Sequence, residues 1–204
     1  MIWIKLGILL VGFSYAGLLP YEIKKTLQHI QFDPRKETLS YLSNANLYDK
    51  KYAKAYKYLL FATAILTYVF FWLLAEFYDL GENEIFMKQI DYTFACLTLL
   101  AFIPHNINPY SFFRKFGASL QRLIHNILGF VVFLVLPALV IMFQIAILPE
   151  FRLLGISGLI IMGVVVIISF RSLIINGITG VTEILFINGI SIWSIFVTII
   201  TLIR

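Results

Sequence analysis

Histidine, serine and arginine side chains at the edges of long apolar runs are where this sequence could do chemistry. One stretch, Asp33-Pro34-Arg35-Lys36-Glu37-Thr38-Leu39-Ser40-Tyr41-Leu42, packs carboxylates, cations and a hydroxyl nucleophile type close together. Glu37 and Ser40 are three apart, so on a helix they would share a face and could act together. The same residues also read as a short interfacial helix, with Asp33 as its cap, Pro34 at its first position and Glu37 near its N-terminal end. A second stretch, Ile103-Pro104-His105-Asn106, closes an apolar run. Pro104 stops or kinks a helix there. His105 at headgroup level can titrate near neutral pH or bind a phosphate; snorkelling or capping is the plainer role. In the third stretch, Gln121, His125 and Gly129 are spaced by four, and so are Arg122 and Asn126. They form adjacent stripes at the start of a helix. His125 then makes either a buried interhelical hydrogen bond or one wall of a pocket. Gly129 lets a neighbouring helix or a ligand come close.

Other chemistries lack their residues. Bis-His haem needs two facing imidazoles at depth, and only His125 is convincingly helical. Zinc needs three or four ligands. His29, His105, His125, Asp33 and Glu37 could supply them only if the loops converge, and no HExxH-type motif is present. No cofactor and no metal are therefore expected. There is no GxSxG and no P-loop. Cys96, the one cysteine, rules out an intrachain disulfide and reads as a core or lipid-facing residue. Gln144, Asn176, Thr179, Thr182, Glu183 and Asn188 are expected to join helices by hydrogen bonds, with Glu183 at an interface level. Pro137 should kink its helix.

The elements that must position these groups are set by composition. The chain has 204 residues, 60% hydrophobic and 13% charged, with mean hydropathy +0.89. Soluble domains carry roughly 25% charged residues, so water cannot be the solvent for this much apolar surface. Six apolar runs stand out at about 2–20, 58–78, 85–104, 123–148, 152–175 and 184–203. Each is close to the ~20 residues that a bilayer core demands, and in lipid each must be a helix because its backbone has no water to bond. The fold class expected is all-α, a polytopic bundle of six transmembrane helices, with residues 1–204 as one transmembrane domain. The first run, despite Lys5 and a weak Ser14-Tyr15-Ala16 cleavage pattern, reads as a retained helix. Residues 46–57 have helical spacing and should run straight into the second span.

The net charge of +5 is read as topological, not as a nucleic-acid signal. Connection 21–57 carries eight Lys and Arg, connection 104–122 adds Arg114, Lys115 and Arg122, and Arg171 lies on the same side. The opposite side has only Lys5, Lys88, Arg152 and Arg204. Connections 21–57 and 104–122 are therefore assigned to the cytoplasm and both termini to the outside.

Taken in order, Thr38-Leu39-Ser40-Tyr41-Leu42 after the first helix, Ile103-Pro104-His105-Asn106 at the end of the third, and Leu123-Ile124-His125-Asn126-Ile127-Leu128-Gly129-Phe130 opening the fourth, with Pro137 downstream, resemble a bacterial and archaeal membrane family called domain of unknown function 998. The resemblance covers about residues 1–148 and, more loosely, the last two helices. It implies six helices, a polar cluster of Ser40, Asn106 and His125 at one membrane face, and a distant similarity to the Frag/DRAM/Sfk group. Asn106 stands where the family often has Asp, which weakens an acid–base or metal role there. The family's polar loops usually face outward, whereas the Lys/Arg count places them inside; the count is kept.

The function expected is the binding or handling of a lipid or small amphiphile at headgroup level, in a prokaryotic plasma membrane. Ser40, His105, Asn106 and His125 would line the pocket, and Arg35, Lys36 and Arg122 would hold an anionic headgroup. Membrane lipids are the expected partners. Two rivals remain: an intramembrane hydrolase using Ser40 or a metal-activated water near His125, and a structural accessory protein whose polar cluster only pins helices.

Overall fold

The structure is a computed structural model and describes residues 2–106 and 116–203. Arg114 and Lys115 of the basic stretch, with Asn108 and Pro109, lie outside the described residues. Six α-helices carry the described chain: α1 (Ile2–Leu27), α2 (Lys50–Phe77), α3 (Glu84–Phe102), α4 (Phe116–Ile147), α5 (Arg152–Asn176) and α6 (Gly180–Ile203), with a 3-10 helix at Leu39–Ser43. All six α-helices are long and apolar enough to cross a bilayer. The protein is an integral membrane protein built as an all-α bundle.

The spans are those the hydropathy marks, but several ends move. α1 runs seven residues past its expected end, through Pro20, because one proline removes a single backbone bond and a packed helix can absorb it. α2 begins eight residues before its apolar run, as the spacing of 46–57 suggests, and Asp49 caps it by accepting from Lys51 N–H at 2.8 Å. The short interfacial helix expected after Asp33 does not form. Instead Lys36 and Glu37 N–H donate to the Asp33 carbonyl, and Asp33 N–H donates to the Glu37 carboxylate at 2.9 Å. That closes one polar turn before the 3-10 helix.

Neighbouring helices pack in chain order, and α6 returns to pack on α1, so the bundle is a closed ring. The α4–α5 seam is the loosest in that ring. One half of the interior is an aromatic plug. Phe71 stacks on Trp193 at 5.5 Å between centroids, and Phe70 and Phe143 meet Trp193 edge-on. Gln144 ties three helices together there. It is fully buried, and with its amide oxygen and nitrogen assigned to suit their neighbours it donates to the Leu154 carbonyl (3.1 Å) and accepts from Trp193 Nε1 (2.9 Å). In lipid such contacts hold helices together, because hydrocarbon supplies no hydrophobic force between them.

The opposite half is organised by the connections. Leu39 and Leu42 are each 1% exposed and insert among Ile23, Tyr56, Leu60 and Ala101. They are three apart, the spacing that eclipses side chains on a 3-10 helix, so one face of Leu39–Ser43 is pinned into the bundle. The polar turn before it docks on the start of α6. Gly180 N–H donates to the Glu37 carbonyl (2.6 Å) and Val181 N–H to the Pro34 carbonyl (2.9 Å). These are the donors that a helix start leaves unmatched. Glu183 answers in the other direction, its carboxylate accepting from Leu39 N–H. α5 ends just before this point at Gly177, whose φ of 70° reverses the chain at low cost for glycine.

Candidate functional site

Residues 103–105 form the hub of the polar end. All three of their carbonyls are taken by side chains from two other elements. His125 Nδ1 donates to Ile103 O at 2.5 Å, Gln121 Nε2 to Pro104 O at 2.8 Å, and Asn44 Nδ2 to His105 O at 3.1 Å. His105 N–H donates to Ser43 Oγ at 2.8 Å. Pro104 leaves α3 without its final turn, and the stripe Gln121–His125 on α4 supplies the donors. The three stretches singled out in the sequence thus meet at one end of the bundle.

The His125 contact fixes the tautomer. A carbonyl only accepts, so the proton sits on Nδ1 and the ring shows its lone pair at Nε2. His125 is 2% exposed, and Nε2 has no hydrogen-bond partner. The His105 ring lies 5.1 Å away, edge to face, with Tyr41 on its other side at 5.0 Å. His105 is itself buried, with Nδ1 unpaired. Burial, then the nearby His125 and Arg122, push the His105 imidazole down to about 4, so it is neutral at physiological pH. Tyr48, at the edge of the same face, lies 3.2 Å from the Glu37 carboxylate. Burial first, and that carboxylate second, push its phenol up to about 12.

Beside these rings lies a cavity of about 580 Å³ between α4, α5 and α6. Thr38, Ser40, Tyr41, His105, Arg122 and His125 line its polar end, with Asn126, Thr182 and Glu183. From Gly129 onward its wall is apolar, along α4 past Pro137 to Ile141 and across to Phe170 on α5 and Phe186 on α6. From Arg122 to Ile141 the wall spans on the order of 28 Å at 1.5 Å per residue, comparable to a hydrocarbon core. Phe130, Leu134 and Phe170 are exposed, so the cavity opens to lipid along the loose α4–α5 seam. Besides the two imidazole nitrogens, Thr38 Oγ1 and Ser169 Oγ are buried and unpaired among the lining residues. Unmatched buried groups of this kind cost about 1–3 kcal/mol each until something bonds them.

The structure therefore brings together Ser40, His105, His125 and Arg122. Arg35 and Lys36 are exposed and outside the lining; Lys36 pairs loosely with Asp33 at 3.6 Å. Their segment turns its leucines inward and its charges outward. Asn106 is next to the hub but outside the lining. Glu37 does not pair with Ser40, because its carboxylate is turned back on Asp33 N–H and Tyr48. Gly129 is approached by no helix: a Cβ there would meet nothing within 4 Å. Of the five residues considered as zinc donors, the two imidazoles meet, while His29 lies exposed at the end of α1. Among the described residues no three His, Cys, Asp or Glu side chains gather. Sequence reasoning missed Glu183 and Ser169 as lining residues.

No curated protein and no solved structure matches the chain. The family described as "Protein of unknown function (DUF998)" matches residues 25–200, which leaves out most of α1 and takes in α5 and α6 as fully as the earlier helices. The chain belongs to the DUF998 family.

Proposed function

We propose that the protein binds a membrane amphiphile, its headgroup at the His105–His125 end of the cavity and its tail along α4. The observation that carries this reading is the cavity itself: one continuous space runs from residues that carry unpaired buried polar atoms to an apolar wall that opens to lipid. Polar side chains serving only to pin helices would be expected to pack closed and pair with each other. Gly129 gives the test. Gly129→Phe grows a side chain into open space, so the bundle should fold while the channel is filled. Native mass spectrometry of the purified protein should show a retained lipid in the wild type and its loss in Gly129→Phe. Equal lipid retention in both would overturn the reading.

A hydrolase reading draws on Ser40 sharing the cavity with an imidazole whose Nδ1 is held and whose Nε2 is bare. Against it, His125 Nε2 has no partner, so the serine–imidazole hydrogen bond is not formed. Ser40→Ala should retain bound lipid, and accumulation of an intact ester ligand in that variant alone would favour hydrolysis.

We also place this end of the bundle in the cytoplasm of a prokaryotic cell. Connections α1–α2, α3–α4 and α5–α6 lie at one end, the end that carries most of the Lys and Arg. Labelling of Lys36→Cys in intact cells by an impermeant thiol reagent would reverse the assignment.

A further inference from the structure

We infer that the headgroup taken by this cavity is a protonated oxyacid, a carboxylic acid or a phosphate monoester, on a single apolar chain. The inference rests on the amphiphile-binding reading and deepens it.

The first step is the imidazole. The Ile103 carbonyl holds the proton on His125 Nδ1, so Nε2 asks for a hydrogen-bond donor and cannot offer one while the ring is neutral. No Asp or Glu is bonded to the ring to support a cation, and burying an unpaired charge is costly. A ligand group that meets Nε2 must bring an O–H or N–H.

The second step is charge. Arg122 lines the same polar end and offers a guanidinium, whose fork of donors matches carboxylate and phosphate oxygens. Thr38 adds a buried hydroxyl with no partner. Glu183 also lines the cavity, with a carboxyl oxygen already taken by Leu39 N–H. A group that accepts from Arg122 and Thr38 and also donates to His125 is an acid keeping one proton. An alcohol donates but has no second oxygen to accept from the guanidinium. An ester or a quaternary ammonium brings no donor.

The third step is size. A volume of about 580 Å³ lies within the ~300–1,000 Å³ of sites that enclose one small ligand. One apolar channel leads from the polar end, so one tail is accommodated.

The test uses full-length, delipidated protein in detergent and five ligands with the same hexadecyl-length chain: palmitic acid, hexadecyl phosphate, hexadecanol, methyl palmitate and hexadecylphosphocholine. Binding is read by competition and by thermal stabilisation. The acid or the phosphate should bind at least about tenfold tighter than the alcohol, ester and phosphocholine, because a site built around a hydrogen bond rejects analogues that lack it. Which of the two acids binds tighter decides between a fatty acid and a phosphate-headed lipid as the source. The preference should vanish in His125→Phe, with the Gly129→Phe variant as the filled-channel control. Equal binding of all five ligands, still abolished by Gly129→Phe, would overturn the acid inference and leave amphiphile binding standing. Binding unaffected by Gly129→Phe would overturn both.

Discussion

The joint that closes the α4–α5 seam beyond the cavity can be tested quantitatively at Gly158. A Cβ there would stand 2.2 Å from Gln144 Cδ, 2.3 Å from Nε2 and 2.4 Å from Oε1. All three are atoms of one side chain, and that side chain is held by two hydrogen bonds, to Leu154 and Trp193. Gly158→Ala must therefore eject the Gln144 amide. Interhelical hydrogen bonds in membranes average about 0.6 kcal/mol and reach about 1.7, so the two together are worth about 1–3 kcal/mol. Overpacking strain adds about 1–3 kcal/mol, and partial relaxation leaves an expected total of roughly 2–4 kcal/mol. Gln144→Ala should cost a similar amount through the lost bonds and the space left behind. The double variant should be no worse than Gln144→Ala alone, because the new methyl group occupies the space that the amide left. Unfolding in mixed micelles, followed by tryptophan emission with Trp3 and Trp72 replaced by Phe so that Trp193 alone reports, gives the cycle. Additive destabilisation would refute the argument, since it requires Gly158 and Gln144 to act independently.

Two further outcomes follow from the polar end and one from the α1–α6 contact. Glu183→Ala removes the acceptor of Leu39 N–H and should destabilise by about 1–2 kcal/mol, as loss of a helix cap does; Glu183→Gln keeps an oxygen in place and should stay near wild type. Hydrogen exchange at residues 36–43 checks this, and equal protection in both variants would contradict it. His105 titrates near 4 in the folded protein against an ordinary value of 6.5, so between those values the unfolded chain binds more protons and stability falls as pH falls. Thermal unfolding of the purified protein from pH 7 to pH 4 should show that loss, and His105→Asn should flatten it; an unchanged slope would mean that another group titrates. Gly12→Val would drive side-chain atoms into Thr198 and Phe70, since even a Cβ comes within 2.1 Å of Thr198 Oγ1. It should detach α1 from α6 and cost more than the ~0.5 kcal/mol typical of an exposed surface change, readable as a lowered Tm.

The spans were legible because hydropathy answers to the solvent, and lipid leaves a chain no alternative to helix. The helix ends were not, because they depend on neighbours: α1 passes Pro20 because it is packed on α2 and α6. In the site, the stripe Gln121–His125–Gly129 was readable from spacing alone, since helical geometry forces those residues onto one face. Arg35 and Lys36 attracted a role through their charge. Their direction is set instead by Leu39 and Leu42, which bury the opposite side of the segment. Glu183 could not have been placed, because its partner is a backbone N–H 144 residues away. Ser169 is one of three serines in a helix that is apolar on nearly every side, so no periodicity separates its cavity face from its lipid face.

The asymmetry of the bundle follows from its connectivity. With six antiparallel helices in chain order, connections α1–α2, α3–α4 and α5–α6 must emerge at one end. The first is long enough to fold back over the others, cap α6 through the Pro34 and Glu37 carbonyls, and set Thr38 and Ser40 beside the end of α3. The second supplies the Ile103 carbonyl that orients His125. At the other end, connections 78–83 and 148–151 are too short to do either, and aromatic rings together with Gln144 fill the space. The cavity and its bare imidazole nitrogen therefore have one common cause: the α4–α5 seam is sealed at the Gln144–Gly158 joint and held apart, one helix length away, by a loop that spends its own polar groups on α6.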